Sequence, residues 1–140
     1  MEEYRFSTKL TVRMSDINHA NHLDNARLVA LVNEARVHFL EHLSLSEADL
    51  GDGKTGMVIG DLAVQFRAEA FYGDELIFDM DADELTDKSF RLKCRVRKGD
   101  TVVAFSETGI VAFDYRKRSV VSLPGAFMDR VNNMETVHVS

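Results

Sequence analysis

The chain has 140 residues, 45% of them apolar, enough for one core that takes roughly two-thirds of the unfolded surface out of water. Its 17 basic and 23 acidic residues give a net charge of −6, which offers no field for nucleic-acid phosphates. The single cysteine, Cys94, excludes an internal disulfide and reads as a small core hydrophobe.

The start, Met1-Glu2-Glu3-Tyr4, is acidic and carries no apolar run. Neither a secretory signal nor a membrane span is expected there, and the cytoplasm is the expected location. Residues 4–13, with Phe6, Leu10 and Val12, read as a first strand. Residues 15–22, Ser-Asp-Ile-Asn-His-Ala-Asn-His, are polar with no Gly or Pro and read as a structured loop. A long helix follows over residues 23–43. Leu28, Leu31, Val32, Ala35, Phe39 and Leu43 share one face at i, i+3, i+4 spacing, and Val29, Val37 and Leu40 widen it. Asn21 or Asp24 is the expected N-cap. So broad an apolar surface predicts a helix covered on more than one side.

After a polar loop the pattern changes to strand. Residues 58–66 alternate through Leu62, Val64 and Phe66, and Phe71-Tyr72-Gly73-Asp74 turns the chain. Residues 75–85 and 89–97 follow, joined by a loop at Thr86-Asp87-Lys88. This hairpin predicts its own register. Setting Asp83, Asp81 and Asp79 opposite Arg91, Lys93 and Arg95 also sets Ala82, Met80 and Phe78 opposite Leu92, Cys94 and Val96. Gly99-Asp100 is a two-residue turn into a last long strand, residues 101–115. If that turn is regular, Glu107 faces Leu92 on the apolar side, with Arg36 as a partner. A short helix is expected around residues 125–131. No repeat or linker divides the chain, so residues 1–140 are expected to form one α+β domain.

The order of elements resembles the hotdog fold: an antiparallel sheet of five or six strands wrapped around one long central helix. The stretches Val12-Arg13-Met14-Ser15-Asp16-Ile17-Asn18, His22-Leu23-Asp24-Asn25-Ala26-Arg27 and Glu34-Ala35-Arg36 resemble the 4-hydroxybenzoyl-CoA thioesterase superfamily. Phe71-Tyr72-Gly73-Asp74-Glu75-Leu76 resembles its Tyr-Gly-Asp turn. The resemblance implies an enzyme that hydrolyses an acyl-CoA thioester to a free acid and CoA. It also implies a homodimer or a dimer of dimers with sites between subunits. The substrate class is an acyl-CoA or acyl-carrier-protein thioester, and no cofactor is expected beyond the coenzyme A of the substrate. Many members carry a carboxylate four residues before the His; here that position is Asn18.

Hydrolysis needs an activated water and donors at the developing oxyanion. Asp16, Asn18 and His22 are the candidate catalytic residues, gathered just before a helix N-terminus with its free N–H groups. His22 or Asp16 is expected to activate water, and Asn18 to orient that water or the thioester carbonyl. Arg67 and Arg116-Lys117-Arg118 are candidates for the CoA phosphates; the basic column on residues 91–97 is more simply matched to its acidic neighbour. No metal-ligand spacing or dinucleotide fingerprint is present. Two alternatives remain open: a non-catalytic acyl-CoA or acyl-carrier-protein binding module, and a hotdog enoyl-CoA hydratase. The hydratase motif has Asp five residues before His, whereas Asp16 and His22 are six apart.

Overall fold

The alternating segments become six antiparallel strands. In the computed structural model, which describes residues 3–139, they are β1 (Phe6–Thr11), β2 (Thr55–Phe66), β3 (Glu75–Asp83), β4 (Ser89–Lys98), β5 (Thr101–Asp114) and the short β6 (Ser119–Val120). One sheet holds them in the order β1-β3-β4-β5-β2, with β6 beside β5. The α-helices are α1 (Asn25–His42) and α2 (Gly125–Asn132). Met1 and Glu2 of the acidic start lie outside the described residues.

α1 has 18 residues and starts later than the apolar pattern predicts. The reason is its cap. The Asp24 carboxylate accepts the N–H groups of Ala26 and Arg27, so Asn25 is the first helical residue. Asn21 instead takes a left-handed turn, at φ 66°. The apolar face carries Leu28, Leu31, Val32, Ala35, Phe39 and Leu40, all buried. It packs on β1 and β3, where Phe6 meets Phe39 edge-on with ring centroids 5.6 Å apart. Burying each such side chain contributes about 1.5–3 kcal/mol, so this face, rather than helix propensity, holds α1 in place. Phe78, Met80, Phe90, Leu92 and Ile110 continue the same apolar cluster from the sheet, and Phe127 of α2 stacks on Phe90 at 4.7 Å.

The β3–β4 hairpin has the register the charges predict, with Asp83 opposite Arg91, Asp81 opposite Lys93 and Asp79 opposite Arg95. The ion pairs themselves run partly on the diagonal. Asp79, 2% exposed, takes both Arg95 and Arg97. Asp81 pairs with Arg5 at 2.7 Å, and Lys93 reaches Asp83 at 2.9 Å. Arg91 turns the other way, to Glu107 on β5 and Asp61 on β2. Gly109 makes room for this reach, since a Cβ there would collide with the Asp61 carboxylate and the Arg91 guanidinium.

The expectation for Glu107 is corrected here. Lys98 pairs with Thr101 across the Gly99-Asp100 turn, but Val96 pairs with Ala104. The extra residue, Val103, forms a β-bulge that shifts β5 by one position. Thr108, not Glu107, therefore faces Leu92, and Glu107 lies on the polar side with Arg91. Arg36 bonds Glu47 and Asn33 instead.

The two acidic positions of this hairpin make a stability test. Asp79→Ala strands two half-buried guanidinium groups and is expected to lower unfolding free energy by about 3 kcal/mol. Asp83→Ala removes an exposed pair and is expected to change it by less than about 1 kcal/mol. Urea denaturation of both variants measures the contrast.

Candidate active site

The loop between β1 and α1 is shaped by main-chain closures. Val12 is tied to the turn before β3, its N–H donating to Asp74 O and its carbonyl accepting from Gly73. A single 3-10 turn, Met14–Asp16, follows. The Asp16 side chain is 1% exposed and folds back on this turn, accepting the Arg13 N–H at 2.8 Å and the Arg13 guanidinium at 3.3 Å. Its own carbonyl accepts the N–H of the cap residue Asp24 at 2.9 Å. Burial pushes the Asp16 pKa up. The Arg13 N–H, the Arg13 guanidinium and the charge of Arg27 outweigh that push and hold the carboxyl below the usual carboxylate range.

A tight loop comes next. Asn18 N–H donates to His22 O at 3.0 Å, and the Asn18 Oδ1 accepts the Ala20 N–H at 2.9 Å. Leu23 N–H then donates to Ala70 O at 2.7 Å, tying the loop to the chain between β2 and β3. That connecting chain is held from its other side by the bulge, because Val103 O accepts the N–H groups of Arg67 and Ala68.

These ties enclose an open cavity of about 410 Å³. Its polar lining comes from Asn18, His22, Asn25, Arg67 and Glu69, and its apolar lining from Leu23, Leu28, Phe66, Ala70 and Val103. The structure thus brings Asn18 and His22 together on one cavity. Asp16 is not among the lining residues. Asn25, Glu69 and the apolar wall from β2 and the bulge are absent from the sequence-based site. Glu69 and that wall arrive through backbone bonds between distant segments, which no local pattern announces.

The His22 ring has a defined tautomer. Nδ1 lies 3.1 Å from Leu23 O, and a carbonyl oxygen only accepts, so Nδ1 carries the proton. Nε2 has no partner among the described residues, and in the neutral ring it is the nitrogen that accepts. The Asn18 oxygen is engaged by Ala20, which leaves the amide NH2 as its open group. Asp24 satisfies Ala26 and Arg27, so the first unsatisfied N–H of α1 is that of Asn25, at the positive end of the helix. Residues carrying an imidazole, an amide and an unpaired helix-start N–H, His22, Asn18 and Asn25, therefore line one cavity with an apolar wall. Among the described residues no group of His, Cys, Asp and Glu is placed to hold a metal ion. Among the described residues no helix is long and apolar enough to cross a membrane. Cys94 lies in the core, where burial pushes its thiol pKa up.

Comparison with known proteins gives the family and the fold. The thioesterase-like superfamily profile matches residues 12–131, and the chain belongs to that superfamily. The Synechocystis 1,4-dihydroxy-2-naphthoyl-CoA thioesterase Slr0204 superposes with a TM-score of 0.83 at 17% identity, over 92% of this chain and 96% of that one. The gentisyl-coenzyme A thioesterase BH1999 gives a TM-score of 0.80 at 25% identity, over 90% of this chain and 99% of that one. A search of curated sequences finds no significant match. The antiparallel sheet with its two helices is that of the hotdog thioesterases.

Asp16 gives this site a test of stability. A carboxyl with a depressed folded pKa stabilises fully above its unfolded value, about 3.9, and loses that contribution as pH falls through the folded value. Asp16→Asn is expected to lower stability at pH 7 by about 1–3 kcal/mol, the scale for a disrupted buried hydrogen bond. The difference from wild type is expected to shrink at pH 2–3, read by paired urea titrations.

Proposed function

We propose that the protein is an acyl-CoA thioesterase, with His22 as general base and Asn18 and the Asn25 N–H as oxyanion donors. The observation that carries this reading is the His22 tautomer: Nδ1–H bonded to Leu23 O and an unpartnered Nε2 on a ring that lines the cavity. Water attacks the thioester carbon while Nε2 takes one of its protons. The carbonyl oxygen becomes an anion held by the Asn18 amide and the Asn25 N–H. The tetrahedral intermediate then expels the CoA sulfur, and the imidazolium returns the proton to it. The products are a free acid and the CoA thiol, and no further cofactor takes part. Asp16 acts by folding the loop that carries the other two. The superfamily and the two CoA thioesterases above support the substrate class. Leu23, Leu28, Phe66, Ala70 and Val103 suit the acyl group.

The same reading gives residues 1–140 as one cytoplasmic hotdog domain, its sheet wrapped around α1. It also gives a twofold dimer, or a dimer of two such dimers, built on β2. That strand ends the sheet, is paired on one side only, and exposes Ile59, Leu62 and Phe66 at 45%, 43% and 53%. An apolar edge of this length favours pairing with a second copy. Because Phe66 also lines the cavity, the edge that pairs borders the site.

A panel of acyl-CoAs with free-thiol readout tests the activity. His22→Gln is expected to fold as wild type and to lose at least about two decades of turnover. Retention of intact acyl-CoA without thiol release would instead mark a binding module, and water addition to crotonyl-CoA a hydratase. Light scattering at micromolar concentration is expected to give a dimer or tetramer, and Leu62→Glu a smaller species with weakened turnover.

A further inference from the structure

A water aimed at a carbonyl needs both of its protons held: one by the base, the other by a second acceptor that turns the oxygen lone pair toward carbon. Three carboxylates stand near the start of α1, and two are committed. Asp16 is closed on Arg13, and Asp24 on the N–H groups of Ala26 and Arg27. The Asn18 oxygen is likewise taken by Ala20. The third, Glu69, has no ion pair or hydrogen bond to its side chain among the described residues, and it is the one carboxylate lining the cavity.

Its position is built. Leu23 N–H bonds Ala70 O, which ties the segment of His22 to the segment of Glu69, and both residues line the cavity. The Arg67 and Ala68 N–H groups fix the other side of Glu69 on Val103 O. Arg67 is the nearest cation in sequence and also lines the cavity. Its guanidinium is engaged elsewhere, donating to Gln65 Oε1 at 2.9 Å and lying 5.4 Å from the centre of the Phe105 ring.

We propose that Glu69 is a further catalytic residue, the acceptor that holds the second proton of the attacking water while His22 takes the first. This rests on the thioesterase reading above. Glu69 neither gains nor loses a proton in the step; its charge orients the water and stabilises the imidazolium opposite. The site then takes its carboxylate from the β2–β3 connection, while the loop position held by Asn18 supplies an amide.

Two measurements test it. With the best acyl-CoA of the panel, Glu69→Ala is expected to lower kcat by about a hundredfold with little change in KM. Added formate is expected to restore part of that loss in Glu69→Ala and none in His22→Gln, a response that damage to the fold would not produce. Wild-type turnover in Glu69→Ala, or a loss that formate leaves untouched, overturns the assignment. The second measurement needs no activity: a high-resolution crystal structure of the free protein is expected to show one water shared by His22 Nε2 and the Glu69 carboxylate. A Glu69 side chain turned away from the cavity, with no shared water, also overturns it. Absence of thiol release from every acyl-CoA, with the shared water present, counts against the thioesterase reading and leaves the pairing of Glu69 with His22 standing.

Discussion

A carboxylate placed out of water must find donors, and the way Asp16 finds them fixes the geometry of everything around the cavity. Its side chain closes the 3-10 turn on Arg13, and its carbonyl takes the N–H of Asp24. Asp24 is thereby held where its own carboxylate caps α1. The seven-residue span between them has little freedom left. Asn18 and His22 close on each other through a main-chain bond, and Leu23 leaves the loop by bonding Ala70. A buried group closed on its own turn thus holds the loop that carries the groups proposed to act on substrate.

The second constraint is the bulge at Val103. Its carbonyl accepts from Arg67 and Ala68, one step beyond the Phe66–Ala104 pair that ends β2, and holds the β2–β3 connection against the site. The bulge also moves Glu107 to the outer face. There it joins Asp61 around Arg91, in the charge array that begins with Arg5 and Asp81. The residue that bulges between β4 and β5 thus aligns the polar array outside, and the same residue lines the cavity inside.

The parts of this structure that are legible in the sequence are those where period and chemistry agree. The β3–β4 register is readable because charge on one face and apolar volume on the other demand the same pairing, and a slip of one residue breaks both. The body of α1 is readable from its apolar stripe, but its start is not, since Asn21 and Asp24 are both good caps and only the closure on Asp16 selects Asp24. The bulge is hidden because Val102, Val103, Ala104 and Phe105 are apolar at both parities, so no alternation marks the missed step. Asn18 and His22 are legible as a pair on one loop. Asp16 looks equivalent to them by spacing, yet its short side chain is spent on the turn that carries it. Glu69 is invisible, because what ties its segment to the loop is a bond between residues 23 and 70.

The central claim is that the thioester carbonyl lies at the start of α1 with His22 beside it. A crystal structure with a CoA ketone analogue, in which a methylene replaces the thioester sulfur, tests this most directly. The account predicts the ketone oxygen within hydrogen-bond distance of the Asn25 N–H and the Asn18 amide. It also predicts His22 Nε2 facing the carbonyl carbon across one water, and the acyl group against Leu28 and Phe66. An analogue bound with its carbonyl away from the helix start, or with His22 pointing out of the cavity, would contradict it.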